Sequence, residues 1–418
     1  QIIKNVDHID EFKKESILVT EMTDPDWMPI LKKASGVITD QGGRTSHAAI
    51  VSRELGIPAI IGTTNGTSAI NDEMDITLSC AEGDKGVVYE GKLDFSEDEI
   101  DVKDVPSIDT QIMMNIGSPA AAFRWWKIPV NGIGLARMEF IINNIIKIHP
   151  MALISFNELK DKNVKEKIND LIKGYKDKTQ FFVDQLSYGI AKIAASQYPD
   201  PVVVRTSDFK TNEYENLIGG AEFEKREDNP MIGFRGAFRY TSKRYEKAFA
   251  LECKALKKVR EDIGLNNIII MIPFCRTLKE ADNTLNILEE NGLKRGKNGL
   301  QVYIMAEIPS NIILAEEFAE RFDGFSIGSN DLTQLVLGVD RDSEELSEAF
   351  DENDKAIKLM IKELIQKAHK KNCTVGICGQ APSDYPDFAE FLVKHDIDSI
   401  SLNPDSVLQV IQHISNLA

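Results

Sequence analysis

The sequence predicts an α/β chain in two parts: a small α/β module over residues 1–92, then a (β/α)8 barrel of the TIM type over 110–418. From Thr110 onward, short apolar runs alternate with long helical stretches about eight times in about 300 residues, the count of such a barrel. Before Lys92 the apolar runs are closer together and separated by turn signals. Between the two parts, KLDFSEDEIDVKDVPSI (Lys92–Ile108) is acidic, lacks apolar periodicity and ends near a proline, so 93–109 reads as a linker.

In the first module the strand-like runs are Ser16–Thr20, Gly36–Thr39, Pro58–Gly62, Asp75–Leu78 and Gly86–Tyr89, and Ser46–Leu55 has helical spacing. In the second part the expected parallel strands are Ile112–Ile116, Gly132–Ala136, Val202–Thr206, Ile268–Pro273, Val302–Glu307, Gly324–Gly328, Thr374–Cys378 and Ser399–Leu402. Helical pattern fills most of the gaps, as in Asp161–Ala195, Ser242–Ile263, Leu278–Asn291, Asn311–Ala319 and Asn353–Lys371.

Bulk properties narrow the function. A length of 418 residues exceeds what one ordinary core requires. The net charge of −17 argues against nucleic-acid or anionic-membrane partners, which need a basic surface. A few arginines and a metal ion can still gather positive charge for an anionic substrate. No apolar run approaches the roughly 18 residues of a membrane span. The 5 cysteines are scattered, odd in number and without CxxC pairing. That pattern favours free thiols in a reducing, cytoplasmic compartment. The chain starts on Gln1 without a signal-peptide pattern and enters structured-looking sequence at once, which points to a piece of a longer protein.

The chemistry is suggested by what stands at the carboxyl ends of the barrel strands, where barrel active sites are built. Arg137 follows the second strand, Arg205 ends the third, Glu307 the fifth and Cys378 the seventh, with Asn330 and Asp331 after the sixth. Each has an ordinary reading by itself. The arginines could be ion-pair residues, Glu307 a carboxylate ahead of a helix, Asp331 a helix cap and Cys378 a small core residue. Together they form a coherent set. Two arginines clamp phosphate or carboxylate through forked bonds. Two carboxylates suit Mg²⁺. A protonated thiol can deliver a proton. The set fits phosphoryl transfer coupled to proton transfer at carbon.

In the first module QGGRTSHAAIVSRELGIPAIIGT (Gln41–Thr63) places Ser46-His47 at a helix start behind a Gly42-Gly43 turn. An imidazole there can attack phosphorus, and the turn and helix-start amides can hold phosphate oxygens, with Arg44, Thr45 and Arg53 adding contacts. An isolated helix-start histidine would ordinarily have no role.

At these residues the sequence resembles the phosphoenolpyruvate-utilising enzymes. GGRTSHAAIVSRELGIPAIIGT is similar to that family's phosphohistidine motif. GLARMEF, VVVRTSDFKTNEYENLIGG, NPMIGFRG, MAEIPSN, FSIGSNDLTQLVLGVDRD and GICGQAPSD resemble its substrate-binding motifs, in order, across essentially the whole chain. The resemblance implies a swivelling phosphohistidine domain bearing His47, hinged at Lys92–Ile108 to a barrel that binds pyruvate or phosphoenolpyruvate. It implies Arg137, Arg205, Arg235 and Arg341 on phosphate and carboxylate, and Gly328, Ser329 and Asn330 as substrate contacts. Glu307 and Asp331 are implied as Mg²⁺ ligands and Cys378 as the group exchanging the methyl proton of pyruvate. Two segments, TSDFKTNEYENLIGG and GQAPSDYPDFAEFLVKHDIDSISLNPDSV, are similar to the branch that makes phosphoenolpyruvate from ATP, pyruvate and water. Members of that branch begin with an ATP-grasp domain, and nothing here resembles one. The expectation is a carboxyl-terminal portion that meets ATP only through that domain, performs the phosphoenolpyruvate half-reaction, and forms a homo-oligomer through the barrel. A phosphocarrier transferase of the same family, or a non-catalytic assembly fragment, are the alternatives.

Overall fold

The computed structural model describes residues 1–43, 46–81, 86–96, 106, 108–341 and 344–415. Arg44, Thr45 and most of the expected linker lie outside them. The chain divides into two compact units, Gln1–Ile100 and Asp101–Ala418.

In the first unit β1 (Ile17–Thr20), β2 (Gly36–Thr39) and β3 (Ala59–Ile61) form a parallel sheet, and β4 (Ile76–Ser79) pairs antiparallel with β5 (Val87–Glu90). Leu18, Val37, Trp27, Ile30 and Leu31 make a small core, joined by Ala48 and Val51 from the helix His47–Leu55. That helix has defined ends. The Ser46 side chain accepts from Ala49 N at 3.4 Å, and Gly56 closes it with a left-handed φ of 66°.

The second unit is a closed barrel of eight parallel strands: β6 (Gln111–Ile116), β7 (Ile133–Arg137), β8 (Val202–Arg205), β9 (Ile268–Ile272), β10 (Val302–Ala306), β11 (Gly324–Ile327), β12 (Thr374–Ile377) and β13 (Ser399–Leu402). Neighbours follow chain order and β13 pairs with β6 to close the ring. Alternation along each strand sorts the side chains. Ile268, Ile270 and Ile272 of β9 belong to the large core beneath the helices. Ile269 and Met271, with Leu135, Val203, Met305 and Cys378, form a separate cluster.

The structure divides some of the helices expected to be continuous. Asp161–Ala195 is two helices, Lys162–Leu171 and Lys178–Ser196. Gly174 takes a φ of 97° between them, and Asp177 restarts the helix by accepting from Thr179 N at 2.8 Å. Several strands also end one residue early, so Glu307, Gly328 and Cys378 stand just beyond the ladder, at the mouth of the barrel.

Candidate active site

Strand β8 ends on Arg205, and the long connection that follows folds back to bring Asp208 and Arg235 to the same mouth. Arg235 is buried. Its Nε and Nη2 donate to the two oxygens of Asp208 at 3.0 and 2.6 Å, and Nη1 and Nη2 reach Asp331 at 3.3 and 3.4 Å. The guanidinium also lies 4.0 Å from the Phe274 ring centroid. Arg205 donates from Nη2 to Glu139 Oε1 at 2.9 Å and lies 3.7 Å from Asp208. Burial opposes its charge, but Glu139, Asp208 and Glu307 hold it firmly protonated. Arg341 stands 3.7 Å from Asp331.

Arg137, at the end of β7, differs from these. Burial, then the neighbouring Arg205, weigh against its charge, and among the described residues it makes no hydrogen bond or ion pair. The Glu139 carboxylate favours its charge, and the half-buried guanidinium, not bonded to another described side chain, is open to an anion.

The carboxylates face this positive cluster. Glu307 is fully buried. Its Oε1 accepts from Phe274 N at 2.7 Å, whereas Oε2 has no hydrogen-bond partner. Burial, then the carboxylates of Asp331 and Asp208, push its pKa up to about 8. Asp331 sits in the first turn of the helix Ser329–Leu337. It is no helix cap: Gly328 holds that position, and the Asp331 carboxylate points instead to Arg235 and Arg341, which keep it ionised despite burial. Gly328 leaves room for Glu307, since a Cβ there would lie 2.7 Å from Oε2. Ser329 is buried with an unpartnered Oγ, and Asn330 Oδ1 accepts from Gln380 N at 3.4 Å. Two hard carboxylates, one with a bare buried oxygen, fit a divalent cation.

Cys378 is 3% exposed, just past β12. Burial raises its thiol pKa, and contact with Ser326 and the field of Arg205 only partly offset this. It is therefore a protonated thiol, and Cys80, Cys253, Cys275 and Cys373 are likewise free.

His47 belongs to the first unit. It is half-buried at the first position of its helix, with Nδ1 3.0 Å from Thr23 Oγ1. Burial lowers its pKa, and Asp24 opposes this. Arg53 is exposed in the last turn, roughly 9 Å along the axis, so it does not stand beside the ring. Two residues that the sequence reading passed over, Glu139 and Asp208, turn out to aim the arginines. Glu139 Oε1 also accepts from Asp208 N at 2.6 Å. Their signal was present, two and three residues past Arg137 and Arg205, but a carboxylate after a strand is common.

A helix-start histidine on one α/β unit, and arginines gathered with carboxylates at the mouth of a (β/α)8 barrel, fit a class of phosphotransfer enzyme. Comparison with known families agrees. The PEP-utilising enzyme mobile domain matches residues 12–83 and the PEP-utilising enzyme PEP-binding domain matches 94–418. The chain belongs to the phosphoenolpyruvate-utilising enzymes. Among its relatives, the phosphoenolpyruvate synthase of Synechocystis sp. is 55% identical over 418 residues, which is 100% of this chain and 51% of that protein. Phosphoenolpyruvate synthase of Aquifex aeolicus is 51% identical over 454 residues, covering 98% of this chain and 53% of the relative. That of Escherichia coli is 50% identical over 409 residues, with 98% and 52% covered. The chain spans about half the length of these relatives. No helix among the described residues is long and apolar enough to cross a membrane.

Proposed function

We propose that these residues are the phosphohistidine and phosphoenolpyruvate-binding portion of a phosphoenolpyruvate synthase, moving a phosphoryl group between His47 and pyruvate. The observation that carries the reading is the gathering of Arg205, Arg235 and Asp331 with Glu307, whose buried Oε2 has no partner, at the carboxyl ends of the barrel strands, where Arg137 also ends β7. Residues 1–92 act as the carrier, 110–418 as the barrel, and 93–109 as the hinge between them. None of these residues is assigned to ATP.

Arg137 and Arg205 take the phosphate and carboxylate of phosphoenolpyruvate, while Arg235, already clamped by Asp208, fixes Asp331 and adds positive field. Arg341 helps from the rim. Gly328, Ser329 and Asn330 contact the substrate through backbone amides and the Asn330 side-chain amide. Glu307 and Asp331 would hold Mg²⁺, which when bound offsets the charge of the transferred group and of the enolate. His47 attacks phosphorus through its free ring nitrogen, the bond from phosphorus to the enol oxygen breaks, and the Cys378 thiol gives its proton to the methylene carbon, leaving pyruvate. Synthesis runs these steps in reverse.

Incubation with Mg²⁺ and radiolabelled phosphoenolpyruvate is expected to place an acid-labile label on His47, absent from His47→Ala. No label, or label that survives the substitution, overturns the reading.

A further inference from the structure

Strand β8 ends at Arg205, yet the three residues that follow are buried, and their backbone N–H groups still need acceptors. Thr206 N donates to the Met271 carbonyl at 3.0 Å. Asp208 N donates to Glu139, which also holds Arg205. Ser207 N donates to Glu252 Oε2 at 3.1 Å, and the Ser207 hydroxyl donates to Oε1 of the same carboxyl at 2.5 Å. Tyr240 OH donates to the Ser207 carbonyl at 2.7 Å. Each polar group of Ser207 is thus engaged.

Glu252 comes from the helix Glu246–Lys257, 45 residues further along the chain. It is fully buried, and among the described residues it pairs with no cation. Its third donor is Tyr245 OH at 3.2 Å. Tyr214 OH, 2.7 Å from Ser207 Oγ and hydrogen-bonded to Tyr245 OH, closes a ring of four buried side chains on the segment that carries Arg205 and Asp208. A buried carboxyl without a counter-ion is costly. An apolar side chain would fill the same space at less cost, so the worth of this one lies in what it holds.

Ser207 stands between two residues of the barrel mouth. Arg205 is one of the anion-binding arginines, and Asp208 clamps Arg235, which reaches Asp331. Among the described residues Glu252 hydrogen-bonds to neither side chain. We propose that Glu252 is a positioning residue for this cluster: through Ser207 it sets where Arg205 and Asp208 stand, and through Arg205 how tightly phosphoenolpyruvate is held. This rests on the reading of the barrel mouth as the phosphoenolpyruvate site.

The test is the phosphoenolpyruvate concentration that gives half-maximal labelling of His47 in the presence of Mg²⁺, measured beside the melting temperature. Glu252→Asp keeps the charge but draws the carboxyl back by about 1.5 Å. It is expected to raise that concentration about tenfold. Glu252→Gln keeps the length and an oxygen for Ser207 N, and is expected to stay within about threefold of the parent. Added to Arg205→Met, Glu252→Asp is expected to cost less than about twofold more, since the group it positions is gone. Ser207→Ala cuts the shorter bond with little change of volume, is expected to raise the concentration about threefold, and carries the test should Glu252→Asp not fold. A parent-like value in Glu252→Asp or in Ser207→Ala overturns the positioning role. So does the full tenfold on top of Arg205→Met, the mark of a packing residue, or a larger loss in Glu252→Gln than in Glu252→Asp, the mark of a charge effect. No label on the parent chain overturns the reading of the site, and the proposal falls with it.

Discussion

Thr23 Oγ1 and His47 Nδ1 lie 3.0 Å apart, a contact that joins the loop after β1 to the first residue of a helix. It occupies one ring nitrogen and fixes the ring plane, leaving Nε2 to meet phosphorus. The phosphoryl group is therefore expected on Nε2, which ³¹P NMR of the labelled protein distinguishes from Nδ1. Thr23→Val, which keeps the shape and removes the hydroxyl, is expected to slow labelling about threefold to tenfold, the worth of one hydrogen bond.

Burial lowers the pKa of His47 below its usual 6.5, with Asp24 acting the other way. At neutral pH the ring is thus unprotonated and nucleophilic. The labelling rate is expected to be flat through neutrality and to fall about tenfold per unit once the pH drops below a midpoint under 6.5. A rate already falling at pH 7 would contradict this. Asp24→Asn, by removing the group that favours the charged ring, is expected to move the midpoint further down.

Glu307 carries a buried oxygen without a partner. Glu307→Gln keeps an acceptor for Phe274 N and removes a carboxyl whose ionised form burial and its acidic neighbours disfavour until a cation binds. Without added Mg²⁺ this variant is expected to melt at or above the parent temperature. It is also expected to lose the thermal stabilisation that Mg²⁺ gives the parent, and to label His47 about a hundredfold more slowly. Calorimetry with and without the metal checks the first two points.

Arg235 and Arg137 are expected to behave oppositely. Arg235→Ala leaves Asp208 and Asp331 buried without their main counter-charge, and should cost about 3–5 kcal/mol in denaturant unfolding. Arg137→Met removes a cation that makes no hydrogen bond or ion pair among the described residues. It should cost little stability, or add some, while raising the phosphoenolpyruvate concentration needed for half-maximal labelling by at least about tenfold. The divergence separates a guanidinium that builds the site from one that waits for substrate.

Much of this was legible in the sequence for a physical reason. Parallel strands buried on both faces are continuous apolar runs, and a charge at the end of such a run, as at Arg205 and Glu307, breaks the pattern visibly. Arg235 offers no such break. It lies in a connection far from any strand end, and only its resemblance to the family's motif marked it. Glu139 and Asp208 escaped because their task is to hold arginines rather than to stand alone at a strand end. Asp331 was ambiguous, since Asn-Asp before a helix suits a cap as well as a ligand, and its contact with Arg235 spans 96 residues of chain.

By itself, then, the sequence determined the two α/β parts, the eight strands and their order, and the residue types gathered at their carboxyl ends. Local periodicity and strand-end position encode these directly. Tertiary structure alone decided which arginines the carboxylates clamp, which ring nitrogen of His47 is engaged, and that Asp208 and Asp331 meet at Arg235. Those outcomes depend on distances between atoms remote in the chain, and no local pattern records them.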